Sequence, residues 1–494
     1  MREKTGPPPS PLPSSFRERG WRIVLIVPFV LIASTGAAEA SPLDGAHLSL
    51  WWAAPFLGLL ASIGLGPLLA EHFWHRHYGK VAFFWAAALA FALVARFGAG
   101  AAFEAVIEAL IADYLPFILM MFALYVTAGG VVLRAAAHGR PALNTLLLAT
   151  GTIAASFIGV TAASMIMIRP LLHSNYERTR KAHVVVFFIF LVSNIGGALT
   201  PLGNPPLFFG FVNGVRFFWP ATHQWPQTLF AAATLLVLFY ALDAFLLARE
   251  PTPPKPRPHD IPTRFKGVRN LLLLALAVDA IVSCGLWEPG VSFPILGIKV
   301  PLQDAVRDIA MVAIGLASLF LTDRAARAAN GFEWGPLAEV AKLFAAIFVC
   351  MAPLFAILEA GRDGPLAWLI DKMALPDGAP NPVAYFWFSG LVSAALDNAP
   401  TYLVAFDLAG GDAARLMGAE AATLKAIGLG AAFMGALTYI GNAPNFMIYA
   451  IATERGVRMP SFFGFLGWSC AVLLPVFALL TFVSFGRSWL WPWP

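Results

Sequence analysis

The stretch Gly197-Ala198-Leu199-Thr200-Pro201-Leu202-Gly203-Asn204-Pro205-Pro206 returns, 238 residues further on, as Gly435-Ala436-Leu437-Thr438-Tyr439-Ile440-Gly441-Asn442-Ala443-Pro444. Seven of the ten positions are identical, and Leu202 and Ile440 are a conservative pair. Each copy sits in a long apolar run and ends in Gly-Asn-x-Pro. Glycine loosens a helix, while proline removes a donor and clashes with the preceding turn, so each copy predicts a broken helix. At bilayer depth the backbone groups freed by a break need protein, water or a bound solute as partners. Interruptions in corresponding positions of two halves point to a binding site near the midplane of a transporter. Two packing kinks are the bland alternative, and duplication of the whole motif argues against them.

The composition sets this motif in a membrane. Of 494 residues, 59% are hydrophobic and 12% charged, and mean hydropathy is +0.72, far above a soluble domain. The pI of about 9.1 does not indicate nucleic acid, because Lys and Arg fall mainly in short loops between apolar runs, where they set orientation. Cys284, Cys350 and Cys470 lie in apolar segments without C-x-x-C spacing, so neither a disulfide framework nor a zinc site is expected.

Residues 1–20 are rich in Pro, Ser and Arg and read as a disordered cytoplasmic tail. Residues 21–40 are either a signal-peptide-like segment, ending Ala38-Glu39-Ala40 before Ser41, or an extra transmembrane segment. Apolar runs then follow at 49–70, 80–97, 114–135, 142–172, 182–218, 226–248, 269–287, 303–322, 337–360, 383–409, 421–455 and 461–486, most of them near the twenty residues a span needs. Two carry polar residues halfway, around Thr161 and Ser164 in one and around Asp397, Asn398 and Thr401 in the other. Both read as re-entrant hairpins, the alternative being long helices with polar middles.

The positive-inside rule agrees with this reading. Arg17 and Arg19, His72 to Lys80, Arg134 and Arg140, Arg178 to Lys181, Lys255 to Arg269, Arg324 and Arg327, and Arg455 and Arg458 all fall on one side. The opposite loops, such as 98–113 and 361–382, are acidic or mixed. The expected fold is therefore an all-α polytopic membrane protein built as an inverted-topology repeat, 49–248 and 269–486, joined by a cytoplasmic linker at 249–268. Each half has five spans, one of them a broken helix, plus one re-entrant hairpin. Such repeats serve alternating access in secondary transporters.

If the hairpin tips meet the breaks, Thr161, Ser164, Thr200 and Asn204 converge in one half, and Asp397, Asn398, Thr401, Thr438 and Asn442, with Asn445 nearby, in the other. Their oxygens suit an alkali cation, whereas half-helix N-termini favour an anion. Asp397 is an ionisable group at a hairpin tip, costly unless paired or used, and a candidate proton carrier. A neutral Asp pinning the hairpin is its alternative. Asp279 is the second candidate proton carrier, or else a structural partner of a polar neighbour. Arg169 reads as a snorkelling side chain, with substrate binding in an anion carrier as its alternative.

Ser193-Asn194-Ile195-Gly196-Gly197-Ala198-x-Thr200-Pro201-Leu202-Gly203 resembles the signature of NhaD-type sodium/proton antiporters, and Leu396-Asp397-Asn398-Ala399-Pro400-Thr401 is similar to their second hairpin tip. These belong to the ion transporter superfamily, with arsenite permeases and citrate and dicarboxylate carriers. The resemblance implies a homodimer with a scaffold part and an elevator-like transport part holding both hairpins. Two positions depart from the antiporter pattern: Asn204 stands in place of Asp, and Val160-Thr161 in place of Asp-Asn. The paired Ser-Asn-Thr tips of dicarboxylate carriers are also absent.

The leading expectation is a cation-coupled secondary transporter in the cell inner membrane, a sodium/proton antiporter, with transported sodium and protons and the lipid bilayer as its partners. The alternative is a proton- or sodium-coupled carrier of citrate or another organic anion. A remote alternative from another class is an intramembrane aspartyl protease using Asp279 and Asp397, but no Gly-x-Gly-Asp or H-E-x-x-H motif occurs. No enzyme activity, cofactor, nucleic-acid partner or metal beyond the transported cation is expected, and no G-x-x-x-x-G-K-[ST] loop suggests ATP-driven pumping.

Overall fold

The computed structural model describes residues 43–485 apart from 135–138, 251–263, 288 and 330–331. The expected tail 1–20, the segment 21–40 and most of the 249–268 linker lie outside the described residues. The described residues are mainly helical, and seven of the helices are long and apolar enough to cross a membrane.

One order of elements occurs twice. In the first half come the helices Ala54–Leu69, Glu71–Phe97 and Ala99–Glu108 continuing into Leu115–Ala128, a helical pair Pro141–Ile158 and Val160–Ser174, a broken helix Ala182–Leu191 and Pro205–Val212, and the long helix Trp219–Ala248. In the second half come Val268–Leu286, Leu302–Leu321, Gly335–Glu359, the pair Pro382–Leu396 and Asn398–Leu408, the broken helix Ala421–Met434 and Ala443–Glu454, and Phe462–Ser484. Proline opens three of these helices, where its missing N–H costs nothing and its fixed φ suits the first turn.

Segment 98–113, read from the sequence as an acidic loop, is helical instead. Ala99–Glu108 runs through a π-helical turn, Ala109–Tyr114, into the next helix. Ala102 and Ala109 are buried along it, so the apolar residues between its acids follow helical spacing and find a packing surface. The described residues also form two small antiparallel sheets that the sequence does not suggest. Val132–Arg134 pairs with Arg264–Lys266, and Ser292–Ile295 with Ile298–Pro301 around Leu296 and Gly297, both at positive φ.

Both helical pairs fold back on themselves. In the first, Gly139 N–H donates to Ser174 O at 2.7 Å, and Asn144 and Asn175 exchange amide hydrogen bonds of 3.0 and 2.8 Å. In the second, the Tyr385 hydroxyl donates to Leu408 O at 2.9 Å. The helix Trp219–Ala248 locates the two bases. Near its C-terminal end, Asp243 accepts from Asn144 Nδ2 at 2.9 Å, beside the first base. At its N-terminal end, Trp219 Nε1 donates to Met417 O at 3.3 Å, just past the second base. Thirty residues of helix separate those ends by about 45 Å.

The first base is held by a buried ion cluster. Asp243 Oδ1 stands 2.6 Å from Arg178 Nη2 and 2.7 Å from His183 Nε2, and all three residues are at most 3% exposed. Arg178, read from the sequence as a marker of the cytoplasmic face, is thus a core residue. Glu250 joins the same end, accepting from the backbone N–H groups of Thr179 and Arg180.

The breaks explain their glycines. A Cβ on Gly203 would lie 2.3 Å from Gly197 O, and a Cβ on Gly441 would lie 2.7 Å from Gly435 O. In each half the chain passes directly over its own backbone, and no side chain fits between. Gly203→Ala is therefore expected to cost about 1–3 kcal/mol through forced backbone displacement, read as a lower thermal unfolding midpoint of the detergent-solubilised protein. An unchanged midpoint would mean that the break has slack.

Candidate functional site

The hairpin tips are laid on the breaks by bonds that repeat with the motif. Thr200 Oγ1 donates to Ser156 O, and Thr438 Oγ1 donates to Ala394 O at 2.7 Å. Donors and acceptors are each 238 positions apart, so the duplication governs packing as well as sequence. At the first tip Val160 N–H also donates to Gly203 O at 2.8 Å.

The decisive polar contact crosses between the halves. Asn398 Nδ2, at the second tip, donates to Asn204 Oδ1, in the first break, at 2.8 Å. Asn204 is 1% exposed and Asn398 0%, and among the described residues Asn204 Nδ2 and Asn398 Oδ1 have no hydrogen-bond partner. One buried donor and one buried acceptor are thus left over on two bonded side chains, a state that costs about 1–3 kcal/mol per group unless a ligand supplies the partner. Asn204 precedes the helix Pro205–Val212 and Asn398 opens Asn398–Leu408, so both leftover atoms sit at helix N-termini.

Asp397 adjoins this pair. It is half-buried, with φ +144° and ψ 150°, a region that essentially only glycine occupies at ease. Its carboxylate accepts from Ala399 N–H at 3.2 Å, and Thr401 Oγ1 donates to its carbonyl at 2.6 Å.

The remaining candidates divide. Asn442 gives its amide hydrogens to the first break rather than to the second tip. Its Nδ2 donates to Ser193 O at 3.0 Å and to Asn194 Oδ1 at 3.3 Å. Asn194 Nδ2 in turn donates to Ile189 O and to Asn445 Oδ1, each at 2.8 Å. Asn445 Nδ2 donates to Gly435 O and Thr438 O. Carbonyls freed by the two breaks are thereby taken by asparagine amides, and the breaks are tied to each other. Ser164 shares a 2.9 Å hydroxyl contact with Ser193. Thr161 is half-buried in the first turn after the first tip, and Arg169 is half-buried further along the same helix. Asp279 is exposed on Val268–Leu286, a helix packed on Leu115–Ala128 and Leu302–Leu321 rather than one that carries a tip. In the sequence Ser193 and Asn194 stand out only through the resemblance, as the opening residues of the antiporter-like signature.

Residues 45–485 match the family described as "Putative citrate transport". The chain belongs to that family. No curated protein matches the chain. The citrate-transport match spans both hairpins, both breaks and the Asn204–Asn398 contact, so the paired architecture lies wholly within it. As a member of a citrate-transport family with multiple apolar helices, the protein is a multi-pass membrane transporter.

Proposed function

We propose that this protein carries citrate or a related organic anion across the membrane together with a cation, by alternating access, and that both solutes bind where the second hairpin tip meets the first break. The observation that carries this reading is the Asn204–Asn398 pair with its unsatisfied donor and acceptor. Asn398 Oδ1 and the Asp397 carboxylate are hard oxygen ligands suited to sodium or a proton. Asn204 Nδ2 lies at a helix N-terminus, where free N–H groups and the macrodipole favour a carboxylate. Coupling follows from charge. An ionised Asp397 repels the substrate, and a cation or proton on it removes the repulsion, so the anion enters only a loaded site.

The positions of the hairpin bases at opposite ends of Trp219–Ala248 support an inverted-topology repeat, with both pairs re-entrant from opposite faces. Cysteines at Pro376 and Ala414 flank the second pair at exposed positions. An impermeant reagent added outside is expected to label both, and labelling of only one would mean that the pair spans the bilayer. The inner membrane and a homodimer are supported by the superfamily resemblance, and crosslinking in native membranes tests the dimer.

Sodium/proton exchange without an anion is the second reading, and Asp397 is what favours it. The family match favours the anion. Binding of labelled citrate to purified protein separates the two. Citrate binding strengthened at least tenfold by sodium or by acidification is expected, whereas no citrate binding alongside sodium/proton exchange in citrate-free vesicles would select the antiporter.

A further inference from the structure

The 238-residue offset that relates the two breaks also relates the two tips, and there the halves differ. Gly159 is the twin of Asp397, and Val160 is the twin of Asn398. Gly159 at φ +86° and Asp397 at φ +144° both turn the chain at positive φ. The contact between the first break and the second tip, Asn204 to Asn398, has a mirror: the second break and the first tip, Asn442 to residue 160. That mirror contact is not made. Residue 160 is a buried valine whose N–H is held by Gly203 O, and the Asn442 amide has turned to Ser193 and Asn194 instead.

The first tip is also closed sterically. A Cβ on Gly159 would stand 2.9 Å from Leu202 O, so the tip lies flush on the break where the second tip carries a carboxylate. Two nearby hydroxyls are engaged as well, Ser164 with Ser193 and Thr200 with Ser156 O, while among the described residues Thr161, half-buried in the turn that follows, is not. Compared with the second tip, the first offers no carboxylate and no spare amide oxygen.

We infer that only the second tip binds the coupling cation, so that one monovalent cation accompanies each substrate per protomer, while the first tip is a fixed dry closure. This rests on the cation-coupled reading above. The test uses the purified full chain and proteoliposomes. Sodium binding by calorimetry, at a pH where it is measurable, is expected to give one site per protomer, and sodium or proton activation of citrate uptake is expected to give a Hill slope near one. Asn398→Ala is expected to weaken activation by the cation at least tenfold and to leave no second binding phase. Two sites per protomer, a slope approaching two, or a full-strength site surviving in Asn398→Ala would overturn the inference and leave the function intact. Citrate uptake indifferent to both cations would instead overturn the cation-coupled reading, and with it the inference.

Discussion

Asp397→Gly is expected to abolish cation-stimulated citrate uptake while leaving the protein at least as stable as the wild type. The two effects have separate origins. At φ +144° and ψ 150° an aspartate stores about 1–3 kcal/mol of backbone strain. Its twin at the other tip, Gly159, holds positive φ without a side chain. Substitution relieves the strain but gives back roughly 0.5–1 kcal/mol through the freer unfolded chain, and a few tenths through the lost cap on Ala399. The net gain is about 1 kcal/mol, read as a raised or unchanged thermal midpoint. Function moves the other way, because the ionisable ligand beside Asn398 is gone. A well-folded Asp397→Gly protein that still accumulates citrate with the cation would show that Asp397 merely caps its helix. A drop in stability beyond about 2 kcal/mol would show that the strain is not stored there.

The largest loss of stability is expected at Asp243. Truncation to alanine leaves the Arg178 guanidinium, 3% exposed, without its counter-charge, and removes the acceptor for His183 and Asn144. Breaking such a buried pair from one side costs about 3–5 kcal/mol. The double change Asp243→Ala with Arg178→Met removes both charges and should recover much of that loss, since the penalty belongs to the stranded charge rather than to the missing attraction. Thermal midpoints of the two single variants and the double variant form the cycle. Additive losses would mean that the two side chains are not coupled as their 2.6 Å separation implies.

The breaks were legible because their cause is local. Gly197 and Gly203 meet through bare backbone, so the glycines and the following proline stand in sequence where the chain turns. Both helical pairs announced themselves by polar residues in apolar runs. What sequence could not supply was partnership over distance. Asn204 and Asn398 are 194 residues apart, and local pattern suggested joining each tip to the break of its own half. The packing does that through Thr200 and Thr438, yet the amide contact crosses over. Arg178 looked like a loop charge for the same reason, since Asp243 lies 65 positions away. Segment 98–113 reads as a loop because its charges, Glu104, Glu108 and Asp113, are all acidic, whereas its apolar residues recur at helical spacing.

Accumulation of labelled citrate in proteoliposomes under an imposed inward sodium or proton gradient tests the account most directly. Citrate is expected to rise above its external concentration only while the gradient lasts, and to fail to do so with Asp397→Gly. Citrate that stays at background in the wild type, while sodium and protons exchange without it, would contradict the account.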